Sequence, residues 1–319
     1  MAAGPGEVRV EDLEQYRREL TGYCYRMLGS SFEAEDAVQD TMVKAWKGFA
    51  AFEGRSAVRS WIYRIATNVC LDMLRGRQRR ALAMDLGPVG MADAFTGATR
   101  PEHAWVTPVP DARVLPDGDP AEVAVARESV RLAFVTALQR LPARQRAVLI
   151  LREVLRWPAT EVAELLGTTV ASVNSALQRA RATLATLDTG ADQAVPVTAE
   201  QRAMLDRYVE AFERYDIPSL VDLLRDDVVM SMPPYDFWLR GPAELAAWFV
   251  GEGIGCKGSK LVPVAANGMA AFASYKAAPT GGHFPWAIQV IEVVGDRIVG
   301  HHNFLDTTLF GQFGLPARL

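Results

Sequence analysis

Apolar residues recur at helical spacing through most of the chain and at strand spacing only near its end. Residues 8 to 29 carry Leu13, Tyr16, Leu20, Tyr23, Cys24, Met27 and Leu28 three or four apart, which predicts an amphipathic helix. Residues 31 to 49 repeat the pattern with Phe32, Val38, Met42, Ala45, Trp46 and Phe49. A second face of that helix holds Glu33, Glu35, Asp36, Gln39 and Asp40, so its beginning is acidic. A connector follows, Phe52-Glu53-Gly54-Arg55-Ser56, in which Gly54 turns the chain and Ser56 caps the next helix. That helix is expected to bury Val58, Trp61, Ile62, Ile65, Val69 and Met73, to present Arg59, Arg64, Thr67, Asn68 and Arg75, and to end at Gly76.

The texture changes over residues 81 to 121, which hold Pro88, Pro101, Pro108, Pro110, Pro116 and Pro120 among glycines and acidic residues. Such a segment has little to bury, and an extended linker is expected. Helical spacing returns over residues 122 to 190. One apolar face runs through Val125, Val130, Ala133, Phe134, Ala137, Leu138 and Leu141, and a second through Val148, Leu149, Leu151 and Val154. Pro158 then starts a helix that buries Val162, Ala163, Leu165 and Leu166. Gly167 makes a turn, and Thr168-Thr169-Val170 leads into another helix over residues 171 to 184. Helix, glycine turn, helix is the pattern of a helix-turn-helix.

From residue 197 onward, a helix through Met204, Leu205, Tyr208, Val209 and Phe212 and a short one at 217–224 precede a run of strands. Strands are expected at 228–232, 261–264, 269–275, 287–294 and 297–305, with a helix from 241 through Phe249 and a tight turn at Gly295-Asp296. The fold class predicted is thus multidomain: two all-α domains at 1–80 and 122–190, separated by the linker, and an α+β domain at 197–319.

With 319 residues and a net charge of −4, the sum argues against a nucleic-acid binder, but the distribution does not. Residues 122 to 190 have 9 basic and 6 acidic residues, whereas residues 191 to 319 have 10 and 15. Cys24, Cys70 and Cys256 are odd in number and far apart, and read as reduced thiols of a cytoplasmic protein. No apolar run reaches membrane-spanning length and no leader is visible at the N-terminus, so no membrane partner is expected. No phosphate loop, HExxH or other cofactor or metal motif occurs, and none is expected to be bound.

Residue by residue, 31 to 75 resemble regions 2.2 to 2.4 of the sigma-70 family, in its extracytoplasmic-function group. The resemblance implies that Glu33, Glu35, Asp36, Gln39 and Asp40 dock on the clamp helices of bacterial RNA polymerase, and that the partner is its core with the beta and beta-prime subunits. It also implies that Phe52, Arg55, Ser56, Trp61, Arg64 and Asn68 capture the minus-10 promoter element. Leu141-Pro142-Ala143-Arg144-Gln145-Arg146 and Arg179-Ala180-Arg181 resemble region 4 of the same family. By helix-turn-helix logic, Ser172, Asn174, Ser175 and Gln178 are candidates for minus-35 base edges, and Arg179 and Arg181 for phosphates. Asn174 and Ala176 stand where many members have cations, so unaided DNA affinity should be weak. In the family the linker threads through the polymerase; a passive tether explains its composition equally well.

Residues 197 to 319 resemble the cone-shaped SnoaL-like (NTF2-like) fold, whose mouth often forms a small-molecule pocket. Met230, Trp238, Trp248, Trp286 and His301 are its candidate lining here. Asp236, His283, His302 and Asp306 join His301 as titratable candidates, although His301 and His302 must point to opposite faces of a strand. Two functions follow. One is a sigma factor, not itself an enzyme, whose fused cone regulates it in cis by a ligand or an intramolecular contact. The other is an isomerase or cyclase-type enzyme fused to a DNA-binding module.

Overall fold

The computed structural model describes residues 10–52, 57–187 and 198–319, with the backbone alone at Val10, Glu11 and Ala51. They divide into two compact units. One joins the residues up to Arg77 with those from Arg113 onward, and the other joins Gln78–Ala112 with the C-terminal residues.

The first unit opens with a 3-10 segment, Val10–Tyr16, and three helices: α1 (Arg17–Leu28), α2 (Ser31–Gly48) and α3 (Val58–Met73). Ser30 starts α2 because its Oγ accepts from the Glu33 N–H at 3.3 Å, satisfying a donor that the first turn leaves open. The core between them is Leu20, Tyr23, Met27, Ala34, Ala37, Val38, Ile62 and Tyr63. Two sequence expectations change here. Trp46 is 66 % exposed, because the small residues Ala34, Ala37 and Ala45 fill the buried stripe of α2. Thr67, expected on the outer side of α3, is buried, with its hydroxyl 2.8 Å from Tyr23 Oη.

The chain re-enters this unit within α4 (Asp111–Val114) and continues as α5 (Pro120–Glu128), α6 (Leu132–Gln139) and α7 (Ala143–Leu149), followed by a π-helical turn at Ile150–Val154. The continuous apolar face expected from Val125 to Leu141 is broken at Ser129–Arg131, where Ser129 turns inward and accepts from Arg26. Then come α8 (Ala159–Leu165) and α9 (Val170–Leu184). Gly167 between them has φ +60°, the left-handed conformation that a side chain disfavours.

Among the described residues the second unit contains a six-stranded sheet: β1 (Leu224–Ser231), β2 (Trp238–Arg240), β3 (Lys260–Ala266), β4 (Met269–Ala277), β5 (His283–Val294) and β6 (Arg297–Phe304). The order is β2-β1-β6-β5-β4-β3, antiparallel except for β1 beside β6. Against it lie α10 (Ala199–Arg214), α11 (Ile217–Val221) and α12 (Pro242–Val250); α13 (Leu309–Gln312) follows the sheet. A capping box starts α10, with Thr198 Oγ1 accepting from Gln201 N–H at 3.2 Å and Thr198 N–H donating to Gln201 Oε1 at 3.1 Å. Met204, Tyr208, Phe212 and Phe249 of the helices share one core with Met230, Leu239, Phe272 and Ile291 of the sheet.

The segment expected as an extended linker is packed instead. From Gln78 to Ala112 it belongs to the second unit, as three 3-10 turns and connecting chain that form a strap. Ala83, Ala104 and Trp105 bury the indole of Trp238 on β2. At the far edge of the sheet, Val109 N–H donates to Asn267 Oδ1 at 3.0 Å, in the β3–β4 turn. The strap thus reaches both edges of the sheet, held by a few apolar anchors between prolines.

Candidate nucleic-acid interface

On α9, Val173, Leu177 and Ala180 face the core, which leaves Ser172, Asn174, Ser175, Gln178, Arg179 and Arg181 exposed on the outer side. Thr169 caps the helix, its Oγ1 accepting from Ser172 N–H at 3.1 Å. That bond spares an N-terminal donor and fixes the angle at which the outer face leaves the turn. Arg181 is engaged, donating to Glu153 at 2.6 Å.

The aromatic residues at the end of α2 and the start of α3 form a second cluster. Phe52 and Trp61 have centroids 5.0 Å apart, and Phe49 lies 6.2 Å from Trp61. All three are half-buried, so flat π-faces stay within reach of solvent, as a stacked base requires. Asn68 is exposed. Arg55 and Ser56 lie outside the described residues.

Arg64 does not stand free: its guanidinium is 3.6 Å from Glu164 on α8. Ser60 donates to Glu161 at 3.1 Å, and Arg59 lies over the rings of Tyr63 and Trp157 while pairing with Glu19 at 3.1 Å. One side of α3 therefore rests on the first helix of the helix-turn-helix and on Trp157 before it. Sequence reasoning placed Arg59 on an open face and missed this contact. The only signal was the complementarity of Arg59 and Arg64 with Glu161 and Glu164, which needs the fold to be seen.

Two buried arginines join the same halves. Arg26 donates to the carbonyls of Ser129 and Ala126 and to Ser129 Oγ, and Arg146 to Gln139 Oε1 and the carbonyls of Met27 and Leu141. Burial pushes each guanidinium pKa down to about 10. These partners are all neutral oxygens, so each ion is desolvated without a carboxylate to offset the cost.

The acidic face of α2 is in part neutralised. Glu33 pairs with Arg77, and Glu35 accepts from Arg113 at 2.9 Å. Asp36, Gln39 and Asp40 point to solvent along the same face.

In the second unit, the five residues expected to line one pocket do not all meet: Met230, Trp248 and His301 share the interior, and Trp238 and Trp286 lie apart from it. Met230 and His301 lie on the inner face of the sheet. Trp238 points to the opposite face, because Leu239 takes the inner position and strand side chains alternate; its Nε1 donates to Gly87 O at 3.0 Å. Trp248 packs against Phe95 and Phe237, and Trp286 sits at the β5 irregularity with Lys276 Nζ 3.2 Å from its ring centre.

His301 and His302 do point to opposite faces. Asn303 Nδ2 donates to His301 Nδ1 at 3.0 Å, which leaves His301 Nε2–H to donate to Tyr208 Oη at 2.7 Å; Tyr208 in turn donates to Gln289 at 2.9 Å. Both ring nitrogens are thus used, and burial pushes the His301 pKa down to about 3, keeping the ring neutral. His302 is buried against Ser231 Oγ at 2.9 Å, and burial lowers its pKa as well. His283 Nε2 meets Gly258 O at 3.0 Å, Asp236 pairs with Arg100, and Asp306 accepts from Thr308. A cavity of about 340 Å³ in this unit lies elsewhere, lined by Arg207, Glu210, Arg214, Asp222 and Arg297 among others. Among the described residues no His, Cys, Asp and Glu cluster could hold a metal ion, and no helix is long and apolar enough to cross a membrane.

A helix-turn-helix joined to an acidic-faced three-helix bundle defines a DNA-binding transcription protein of the sigma-70 class. Residues 13–80 match Sigma-70 region 2, residues 131–184 Sigma-70 region 4, and residues 205–301 the SnoaL-like domain. The ECF RNA polymerase sigma factor SigG of Mycobacterium tuberculosis is 44% identical over 316 residues, covering 96% of this chain and 83% of that protein. RNA polymerase sigma factor YlaC of Bacillus subtilis is 30% identical over 173 residues, 54% of this chain and 87% of that one. The crystal structure of the Mycobacterium tuberculosis extracytoplasmic function sigma factor SigJ superposes with a TM-score of 0.60 at 22% identity, covering 97% of this chain and 100% of that one, and shares its fold. The chain belongs to the extracytoplasmic-function (ECF) RNA polymerase sigma factors.

Proposed function

We propose that this ECF sigma factor docks on polymerase core through the exposed Asp36, Gln39 and Asp40 of α2, with Glu33 and Glu35 joining once Arg77 and Arg113 let go. The half-buried cluster of Phe52 and Trp61, with Arg64 and Asn68, then stacks and holds the unpaired minus-10 strand. The outer face of α9 takes the minus-35 element: Ser172, Asn174, Ser175 and Gln178 meet base edges, and Arg179 and Arg181 meet phosphates. The observation that carries this reading is the contact of Arg59, Ser60 and Arg64 with α8 and Trp157. It ties Arg64 and the side of α3 next to the aromatic cluster to the minus-35 domain, so the described state is closed at that edge, and promoter binding separates the two halves. The burial of Arg26 and Arg146 against neutral partners keeps the closed state from being too stable to open.

The SnoaL-like domain acts in cis, through its grip on the strap between the two sigma regions. Catalysis in the cone has less support, since both nitrogens of its one inward-facing histidine, His301, are already bonded. The docking assignment is tested by Asp36→Ala and Asp40→Ala. Each should weaken holoenzyme formation in a pull-down with core polymerase while leaving the helical circular dichroism unchanged. Undiminished binding would remove the assignment.

A further inference from the structure

From Asp93 to Thr99 the strap lies exposed, with one exception: Phe95 is half-buried. Its ring meets three others edge to face, Tyr235 at 5.0 Å, Phe237 at 5.1 Å and Trp248 at 5.0 Å between centroids. Phe237 and Trp248 are themselves in contact at 5.3 Å, so the three rings make the walls of a slot and Phe95 fills it. The walls come from the β1–β2 connection and from α12. Each ring presents an electron-rich face or a positive edge, a pattern that complements another aromatic ring and gives an aliphatic group no comparable geometry.

The backbone on either side of Phe95 is clasped to the same two elements. Gly90 N–H donates to Trp238 O at 2.8 Å, Ala92 N–H to Glu244 at 2.7 Å, Arg100 N–H to Pro234 O at 2.9 Å, and Asp236 N–H to Ala98 O at 2.9 Å. Arg100 also donates to Asp236 Oδ2 at 2.6 Å. Gly90 runs so close to the slot that a Cβ there would lie 2.9 Å from the Phe237 ring. The clasp is made of a few bonds at the surface, and its apolar anchors are the Phe95 ring and the small buried side chain of Ala92. Such an arrangement opens locally at low cost compared with the sheet beside it.

We infer that the slot of Tyr235, Phe237 and Trp248 is a binding site for a small planar aromatic molecule, which Phe95 occupies as an internal ligand. A free aromatic compound of one or two fused rings exchanges with Phe95 and releases the strap between about Gly90 and Arg100. The strap joins the two sigma regions in the chain, so its release is the step by which such a compound reaches the sigma activity; this last consequence rests on the regulatory reading above. The ligand class follows from the walls: three aromatic rings, with Arg100 and Asp236 of the rim already paired to each other.

Indole is the probe, titrated by calorimetry into the full-length protein, with strap amide exchange measured in parallel. In Phe95→Ala the slot is vacant, and indole should bind saturably and at least ten times more tightly than to the unaltered protein. Exchange at Gly90, Ala92 and Arg100 should rise at least tenfold in the same variant without indole. Cyclohexanol, similar in size but not aromatic, should bind at least five times more weakly than indole. Equal binding of the two would mark a plain cavity and overturn the aromatic assignment. Indole binding no tighter than to the unaltered protein, or unchanged strap exchange, would overturn the inference. If Phe95→Ala does not fold, Asp236→Ala keeps the ring and removes the ion pair of the clasp. Its indole affinity and strap exchange should both rise, and failure of either counts against the inference. Neither readout involves polymerase, so these outcomes are separate from the fate of the transcription reading.

Discussion

The guanidinium of Arg59 lies 5.2 Å from the ring centre of Trp157, so a residue of α3 stacks on the segment that leads into the helix-turn-helix. Glu161 and Glu164 extend this contact along α8, towards Ser60 and Arg64. Arg64, proposed above to hold the minus-10 strand, is thereby engaged with the helix-turn-helix, together with its neighbours Arg59 and Ser60.

Reversing the charge on α8 should therefore loosen the closed state. The double variant Glu161→Lys with Glu164→Lys removes the acceptor of the Ser60 bond at a half-buried position and turns attraction to Arg64 into repulsion at an exposed one, the latter worth only a fraction of a kcal/mol. The expected result is a gain of about threefold in binding of a forked minus-10 DNA, read by fluorescence anisotropy at low salt and shrinking as salt rises. No gain would mean that this contact does not restrain α3.

Thr169 offers a test of the reading helix. Replacing it with Ala removes the hydroxyl that accepts from Ser172 N–H, and loss of such a cap costs about 1 kcal/mol. Urea unfolding should register a drop of that size. Binding of minus-35 duplex by the holoenzyme should weaken too, since the base-edge candidates stand on the uncapped turn.

Acid should destabilise the second unit through His301. The folded ring has a pKa of about 3, against the ordinary 6.5, so below pH 6.5 the unfolded chain takes up a proton that the folded chain refuses. Stability from this group is full above pH 6.5 and is lost as pH falls towards 3, by about 1.4 kcal/mol per pH unit. Between pH 7 and pH 5 the loss should be about 2 kcal/mol in urea titrations. His301→Gln should flatten this slope, leaving the smaller share that the buried His302 contributes. An equally steep slope in the variant would place the acid sensitivity elsewhere.

Much of this architecture was legible in the sequence. The 3-to-4 spacing of Leu20, Tyr23 and Met27, the glycine at 167 and the alternation along β4 to β6 all encode local geometry, and each predicted its element. Trp46 and Thr67 were misplaced because periodicity ranks residues by polarity, whereas burial follows partners. Three alanines made α2 narrow enough to leave Trp46 out, and Tyr23 gave Thr67 a bond inside.

The strap was misread for a related reason. Its prolines and acids dominate the composition, but Phe95, Trp105 and Val109 carry the packing, and their partners lie more than a hundred residues further on. The expected ligand pocket failed on parity at Trp238: a short strand at the sheet edge, not anticipated, turned that indole outward. Contacts between segments distant in the chain, such as Arg59 with Trp157, leave no periodic trace at all.

The central claim is that this chain directs polymerase to promoters. Its most direct measurement is transcription in vitro by bacterial core polymerase with the full-length protein, on a library of genomic promoter fragments. The account predicts initiation at a discrete set of fragments, reduced by Asp40→Ala and by Asn174→Ala. Initiation no higher than with core polymerase alone on every fragment would contradict it.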